Sequence, residues 1–264
     1  MAPNRKAATR VTKRTRATGG ASASLADVQS ILDWLKSHST KHTLNGVARY
    51  GIPSDNALGV AVKDIQALGK IVGRNHDLAL ALWETECYEA RMLVSFIGDP
   101  DRLTSAQMDR WCRDFDSWAI CDTLCFHLFD RSPHAWAKVE QWSKRSSEFQ
   151  KRAAFALLAC LAGHDKDAAD ERFVAGLVLL EDAASDDRNF IKKGHVWALR
   201  RIGGRNAELF DASAEVARRL AASTNAAARW VGKTTLRDLK TRPKAVGSES
   251  GSGGRVTKRR GKSI

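Results

Sequence analysis

Paired cysteines, long apolar runs and strand patterns are all missing from this chain of 264 residues. Its five cysteines are odd in number and contain no CxxC pair. That usage fits reduced thiols of an intracellular protein, cytoplasmic and near the nucleoid if the source is bacterial, better than a disulfide framework. The longest apolar stretches, such as 173–180, fall short of the roughly 18–20 residues that cross a bilayer, which argues against an integral membrane protein. Basic residues open the chain with no apolar segment behind them, so a secretory signal is not expected either. Alternating strand patterns flanked by Asn-Gly or Asp-Gly turns do not occur.

Acid is missing from residues 1–20, which carry six Lys and Arg side chains. Residues 240–264 have a formal charge of +7, Glu249 being their one acid. The segment 21–239 holds 29 basic and 29 acidic residues, so the two ends carry the whole excess of +13. Both ends are rich in Ser, Thr, Gly and Ala, with little to bury, and read as disordered basic arms over 1–24 and 240–264. Arms of this kind suit a polyanion, most simply nucleic acid. They supply affinity without chemical choice, so function must reside in 25–239.

That middle reads as an all-α domain. Helical spacing of apolar residues predicts helices over 25–38, with Ser24 as N-cap, then 58–72, 78–83, 90–97, 107–115 and 118–129. Further helices are expected over 135–144, 148–162, 168–180, 188–202, 209–222 and 226–238. Related helix openings recur at Tyr88-Glu89-Ala90-Arg91, Phe149-Gln150-Lys151-Arg152, Phe190-Ile191-Lys192-Lys193 and Ala226-Ala227-Ala228-Arg229. A helix pair repeating every 30–40 residues or so marks a HEAT or armadillo-type solenoid. Arg152, Lys193 and Arg229 at equivalent heights would then line its concave face with positive charge.

Three features bear on chemistry. Trp118 and Asp122, four residues apart, share one helical face. Trp197 follows Phe190 by seven residues, and Arg152 opens the intervening repeat. Aromatic faces beside a carboxylate can hold a cation. A metal site is a poor alternative: Cys121, Cys125 and His127 cluster, but a fourth convergent ligand and the short cysteine spacing are missing. No cofactor is expected. Neither Ser117 nor His127 has partners that suggest nucleophilic catalysis.

Trp118-x-x-x-Asp122, Gln150-Lys151-Arg152-Ala153-Ala154 and Phe190-Ile191-Lys192-Lys193-Gly194-x-x-Trp197-Ala198-Leu199-Arg200, in this order, resemble the AlkD family of DNA alkylation-repair glycosylases. Ala48-Arg49-Tyr50 and Leu58-Gly59-Val60 fit the same pattern, and the likeness runs from about residue 30 to 238. It implies a HEAT-like repeat domain and a monofunctional DNA glycosylase, a hydrolase of base excision repair. Such an enzyme releases cationic N7- or N3-alkylated purines, 7-methylguanine or 3-methyladenine, from double-stranded DNA without flipping the base. The resemblance assigns Asp122, Trp118 and Trp197 to the catalytic cleft, Tyr50 to an aromatic cage and Arg152 to the DNA backbone. Lys192, Lys193, Arg200, Arg229 and Lys233 are candidates for phosphate contact. The stretch Val60-Ala61-Val62 departs from the family, which often has a polar residue there. A monomer without metal or membrane attachment is expected. The competing readings are a non-catalytic HEAT-like scaffold for DNA or protein and an RNA-binding solenoid, for which no base-per-repeat code is visible.

Overall fold

The computed structural model describes residues 27–240; the two basic arms and Ser24 lie outside the described residues, apart from Lys240. Among the described residues there are thirteen α-helices and no strand. They are α1 (Val28–Ser37), α2 (Lys41–Arg49), α3 (Val62–Val72), α4 (His76–Trp83), α5 (Tyr88–Ile97), α6 (Ser105–Arg113) and α7 (Trp118–His127). Then follow α8 (Ala135–Ser143), α9 (Glu148–His164), α10 (Asp170–Asp182), α11 (Asn189–Ile202), α12 (Ala207–Ala222) and α13 (Ala226–Lys240). No helix is long and apolar enough to cross a membrane.

Alternate helices form two layers. Helices α3, α5, α7, α9, α11 and α13 pack side by side in chain order, while α4, α8, α10 and α12 pack behind them. This is the stacking of a HEAT-like solenoid. Helix α9 is the keystone, and every side chain from Arg152 to Ala162 is buried. Its five alanines in that run let α7, α8 and α11 approach closely, while Phe155, Leu157, Leu158 and Leu161 fill the gaps. Each of those large side chains contributes about 1.5–3 kcal/mol by leaving water.

Some helix starts are fixed by side-chain caps. Asp27 caps α1 by accepting from the Ser30 amide at 2.9 Å. Thr104 and Gln107 form a reciprocal capping box that starts α6 at Ser105, two residues before the periodicity predicts.

The N-terminal region differs from the sequence reading in two linked ways. Helix α2 was not foreseen, because Leu44 and Val47 are its only large apolar residues and Val47 its one buried residue, too few to mark a helix in the sequence. Conversely, residues 58–61 are a turn rather than the first part of a helix. Gly59 has φ +88°, and a Cβ there would lie 2.6 Å from the Thr40 carbonyl. The fully buried Glu89 of α5 locks this turn by accepting from the amides of Leu58 (2.8 Å), Gly59 (2.7 Å) and Val60 (3.2 Å). Glu89→Gln turns an amide NH2 toward these donors. It should lower stability by about 2 kcal/mol, read as a fall in Tm with protection lost first in the amides of residues 58–60.

Candidate nucleic-acid interface and carboxylate cleft

The first turns of α7, α9 and α11 and the turn after α2 meet at one rim of the helical stack, because the inner helices run in the same sense. Trp118 opens α7, and its Nε1 donates to the Tyr50 carbonyl at 2.9 Å. That bond ties the indole to the end of α2. Gly51 follows with φ +68°, turning the chain so that Tyr50 stands 69% exposed at the mouth.

Asp122 lies one turn beyond Trp118 and meets Arg152 of α9 in a two-point pair, Nε to Oδ1 at 2.9 Å and Nη2 to Oδ2 at 2.6 Å. The third guanidinium nitrogen, Nη1, donates to the Phe190 carbonyl of α11 at 2.6 Å. One side chain thus ties three consecutive inner helices together. The Arg152 side chain is 7% exposed and that of Asp122 is 20% exposed, so only the carboxylate keeps a face toward solvent. Burial pushes the Asp122 carboxyl up from the ordinary 3.8, and Arg152 pulls it part of the way back. The cleft over this pair has a volume of about 570 Å³ and is walled by Tyr50, Trp118, Phe190 and Lys193, with Arg49 and Asn189 at its edge. Lys193 is exposed, with Nζ 5.9 Å from the Phe190 ring centre.

A second cavity of about 600 Å³ lies on the far side of the Trp118–Tyr50 wall. It is mainly apolar, with Val47, Ile52, Val60, Tyr88 and Met92 in its lining. Burial pushes the Tyr88 phenol up to about 12. No segment of the sequence signalled this pocket, since α2 and the Gly59 turn build it.

The fold therefore gathers Tyr50, Trp118, Asp122, Arg152 and Lys193, and leaves the other expected residues elsewhere. Trp197 does not line the cleft; it is half-buried against the main core. Seven residues along α11 from Phe190 is about 10 Å of rise, which carries it away from the rim. Arg152 is not at the cleft's outer edge but beneath it. Of the other repeat-opening cations, Arg91 donates to the Trp83 carbonyl, and Arg229 to the carbonyls of Ser223 and Thr224. The uniform positive stripe is thus broken by guanidinium groups engaged inside the fold. Arg200 pairs with Asp238 at 3.1 Å, Lys192 lies over the Trp230 ring, and Lys233 is exposed on α13. His195 is fully buried against Phe155, and burial lowers it to about 4. Cys121 and Cys125 are buried, their thiols directed at the carbonyls of Phe149 and Ala153.

The residues that sequence reasoning missed are second-layer supports. Phe190 supplies a carbonyl to Arg152, and a main-chain acceptor leaves no mark in the side-chain pattern. Asp186 accepts from Arg188 at 2.6 and 2.9 Å and from Lys151 at 3.1 Å, pinning the entry of α11 to α9. These bonds, those from Arg188 foremost, hold its carboxyl far below 3.8. A depressed carboxyl contributes stability that is complete above the unfolded pKa and is lost as pH falls through the folded one. Asp186→Asn should therefore lower stability at pH 7, on the order of 2 kcal/mol. Melting curves of variant and native chain should converge as pH drops well below 3.8.

Comparison with known proteins follows the same outline. A family model described as DNA alkylation repair enzyme matches residues 31–234. One solved structure belongs to "a new family of proteins related to the HEAT-like repeat DNA glycosylases with affinity for branched DNA structures". It superposes with a TM-score of 0.67 at 18% identity, covering 81% of this chain and 95% of that one, a likeness of fold. A designed armadillo repeat protein covers 75% of this chain and 99% of its own, at 15% identity and a TM-score of 0.30. No curated protein matches the chain.

Proposed function

Because the chain belongs to the DNA alkylation repair enzyme family, we propose that it is a monofunctional DNA glycosylase that hydrolyses the N-glycosyl bond of N7- or N3-alkylated purines in duplex DNA. The observation that carries this reading is a fixed, partly exposed carboxylate, Asp122, beside an indole and an open tyrosine. A purine alkylated at N7 or N3 is already cationic and leaves readily. As the C1′–N bond breaks, its electron pair goes to the base and the sugar becomes an oxocarbenium ion. Water adds at C1′ and loses a proton, leaving an abasic site. Such a reaction needs negative charge preorganised against the sugar more than it needs acid catalysis. The chemistry is directed at the deoxyribose and does not require the base to leave the stack.

Each Asp122 oxygen receives one hydrogen bond from Arg152, yet a carboxylate offers about four acceptor sites. Lone pairs therefore remain for the sugar cation and the incoming water. Arg152 acts as a positioning residue that keeps Asp122 ionised and aimed. Trp118 and Tyr50 pack on the deoxyribose. Contact with the flanking phosphates falls to Lys193, which is exposed at the cleft, rather than to buried Arg152; Lys192 and Lys233 extend that contact, whereas Arg200 and Arg229 are held by Asp238 and by the Ser223 and Thr224 carbonyls. Trp197 is half-buried against the repeat core and is not among the side chains that line the cleft.

Single-turnover release of base from a duplex carrying one 7-methylguanine tests the proposal. Release well above the spontaneous rate is expected. A second reading, a non-catalytic DNA-binding scaffold, draws on the same two-point pair, which can serve structure alone, and on the affinity for branched DNA of the related family. Duplex binding with no release above background would establish it. Removing 1–20 and 241–264 should weaken duplex binding and flatten its salt dependence while leaving single-turnover release little changed, since each lost phosphate contact reduces the slope by about 0.9. An unchanged slope would show that the arms make no phosphate contacts.

A further inference from the structure

Helix α13 carries an aromatic side chain that the core does not use. Ala227, Ala228, Val231 and Leu239 turn inward, whereas Trp230 is 41% exposed. Lys192 of α11 sits with Nζ 5.5 Å from its ring centre, and Lys233 lies three residues on, on the same helical face. The neighbouring residue Lys193 lines the Asp122 cleft. Helix α11 thus presents Lys192 to Trp230 and the next residue, Lys193, to the cleft.

The charge around it decides what it can meet. Helix α11 contains no acid, and the single acid of α13, Asp238, is paired with Arg200. The sequence from 240 onward adds a formal +7. An exposed indole beside the Lys192 ammonium, with Lys233 on its own helical face, fits a polyanion that also offers flat apolar faces. Fully paired duplex hides its base faces in the stack and presents only sugars and phosphates. An unpaired strand presents both a face for the indole and phosphates for the lysines, the combination used by single-strand binding surfaces.

We propose that Trp230, with Lys192 and Lys233, is a stacking site for unpaired nucleotides of a DNA strand that continues out of the duplex held at the Asp122 cleft. This rests on the DNA-binding part of the reading above and not on catalysis. The site gives the protein a preference for damaged duplex next to a single-stranded segment.

The test compares binding of the full chain to three DNAs by fluorescence anisotropy. They are a linear duplex, the same duplex with a short single-stranded arm, and that duplex with an arm of abasic sugar-phosphate. The abasic arm adds the charge without the base faces. The natural arm should bind about tenfold more tightly than the abasic arm, the value of roughly one stacked base. Trp230→Ala should abolish that difference and Trp230→Phe should keep most of it. Base release from the linear 7-methylguanine duplex should be unchanged in both variants. Equal binding of natural and abasic arms by the native chain overturns the proposal, as does a Trp230→Ala variant that keeps the full difference. Absence of base release from the linear duplex would count against the glycosylase and leave the stacking result standing.

Discussion

Asp122→Asn is expected to reduce single-turnover release of 7-methylguanine by about 10²–10³-fold, the scale seen when one preorganised electrostatic partner of a transition state is removed. Asparagine has nearly the same shape, so Trp118 and Tyr50 keep their places. It loses the charge that opposes the oxocarbenium ion. It also turns an NH2 toward one of the two Arg152 donors, which now bond to Oδ1 and Oδ2. Stability should fall by about 2 kcal/mol, few enough for the variant to remain folded. Duplex affinity should be unchanged or slightly higher, because a negative group near phosphates is gone. A variant that is folded, binds DNA and releases base within about threefold of the native rate would remove the carboxylate from the reacting centre, since the preorganisation argument requires a far larger loss.

The pH dependence has a sign that follows from burial. Only ionised Asp122 stabilises a cation, and its carboxyl is raised above 3.8. Activity should therefore be lost, as pH falls, at a higher pH than an ordinary carboxylate would give. Stability moves the other way. The folded chain holds this proton more tightly than the unfolded chain does. The contribution is complete below pH 3.8 and is lost as pH rises through the folded pKa.

Arg152→Ala should be the most destabilising single change at the site, by about 3–5 kcal/mol, because it strands one member of a buried ion pair. The loss is structural as well as electrostatic: Asp122 of α7 and the Phe190 carbonyl of α11 both lose their link to α9. With Arg152 gone, burial loses its main opponent and drives the Asp122 carboxyl further up. Base release at neutral pH should drop, and raising the pH should restore part of it in this variant but not in Asp122→Asn. Arg152→Lys should recover little, since one ammonium cannot supply the planar fork that meets both carboxylate oxygens and a carbonyl. Thermal melts alongside pH–rate profiles of the three variants separate positioning from catalysis. Parallel profiles for Arg152→Ala and Asp122→Asn would mean that Arg152 does not act through the carboxylate.

The basic helix openings illustrate how far the pattern reaches. Arg91, Arg152, Lys193 and Arg229 occupy matching places near the starts of the inner helices α5, α9, α11 and α13, and the repeat itself is plain in the sequence. Only Lys193 remains open to the cleft, whereas Arg152 turns beneath it and Arg91 and Arg229 bond nearby carbonyls. The missed helix α2 shows the opposite failure. Its structure depends on Thr40 capping and on a turn clasped by Glu89, 30 residues beyond Gly59, more than on its two large apolar residues.

The sequence by itself determined the all-α repeat, the order of the inner helices and the placing of Trp118 and Asp122 one turn apart, because a helix enforces its period within a few residues. Tertiary structure decided that Arg152 clasps Asp122 and the Phe190 carbonyl, that Glu89 closes the Gly59 turn, and that Trp197 falls outside the cleft. Those outcomes join groups about 30–40 residues apart in the chain. They depend on how far each helix slides along its neighbour before side-chain packing stops it, and no local pattern records that distance.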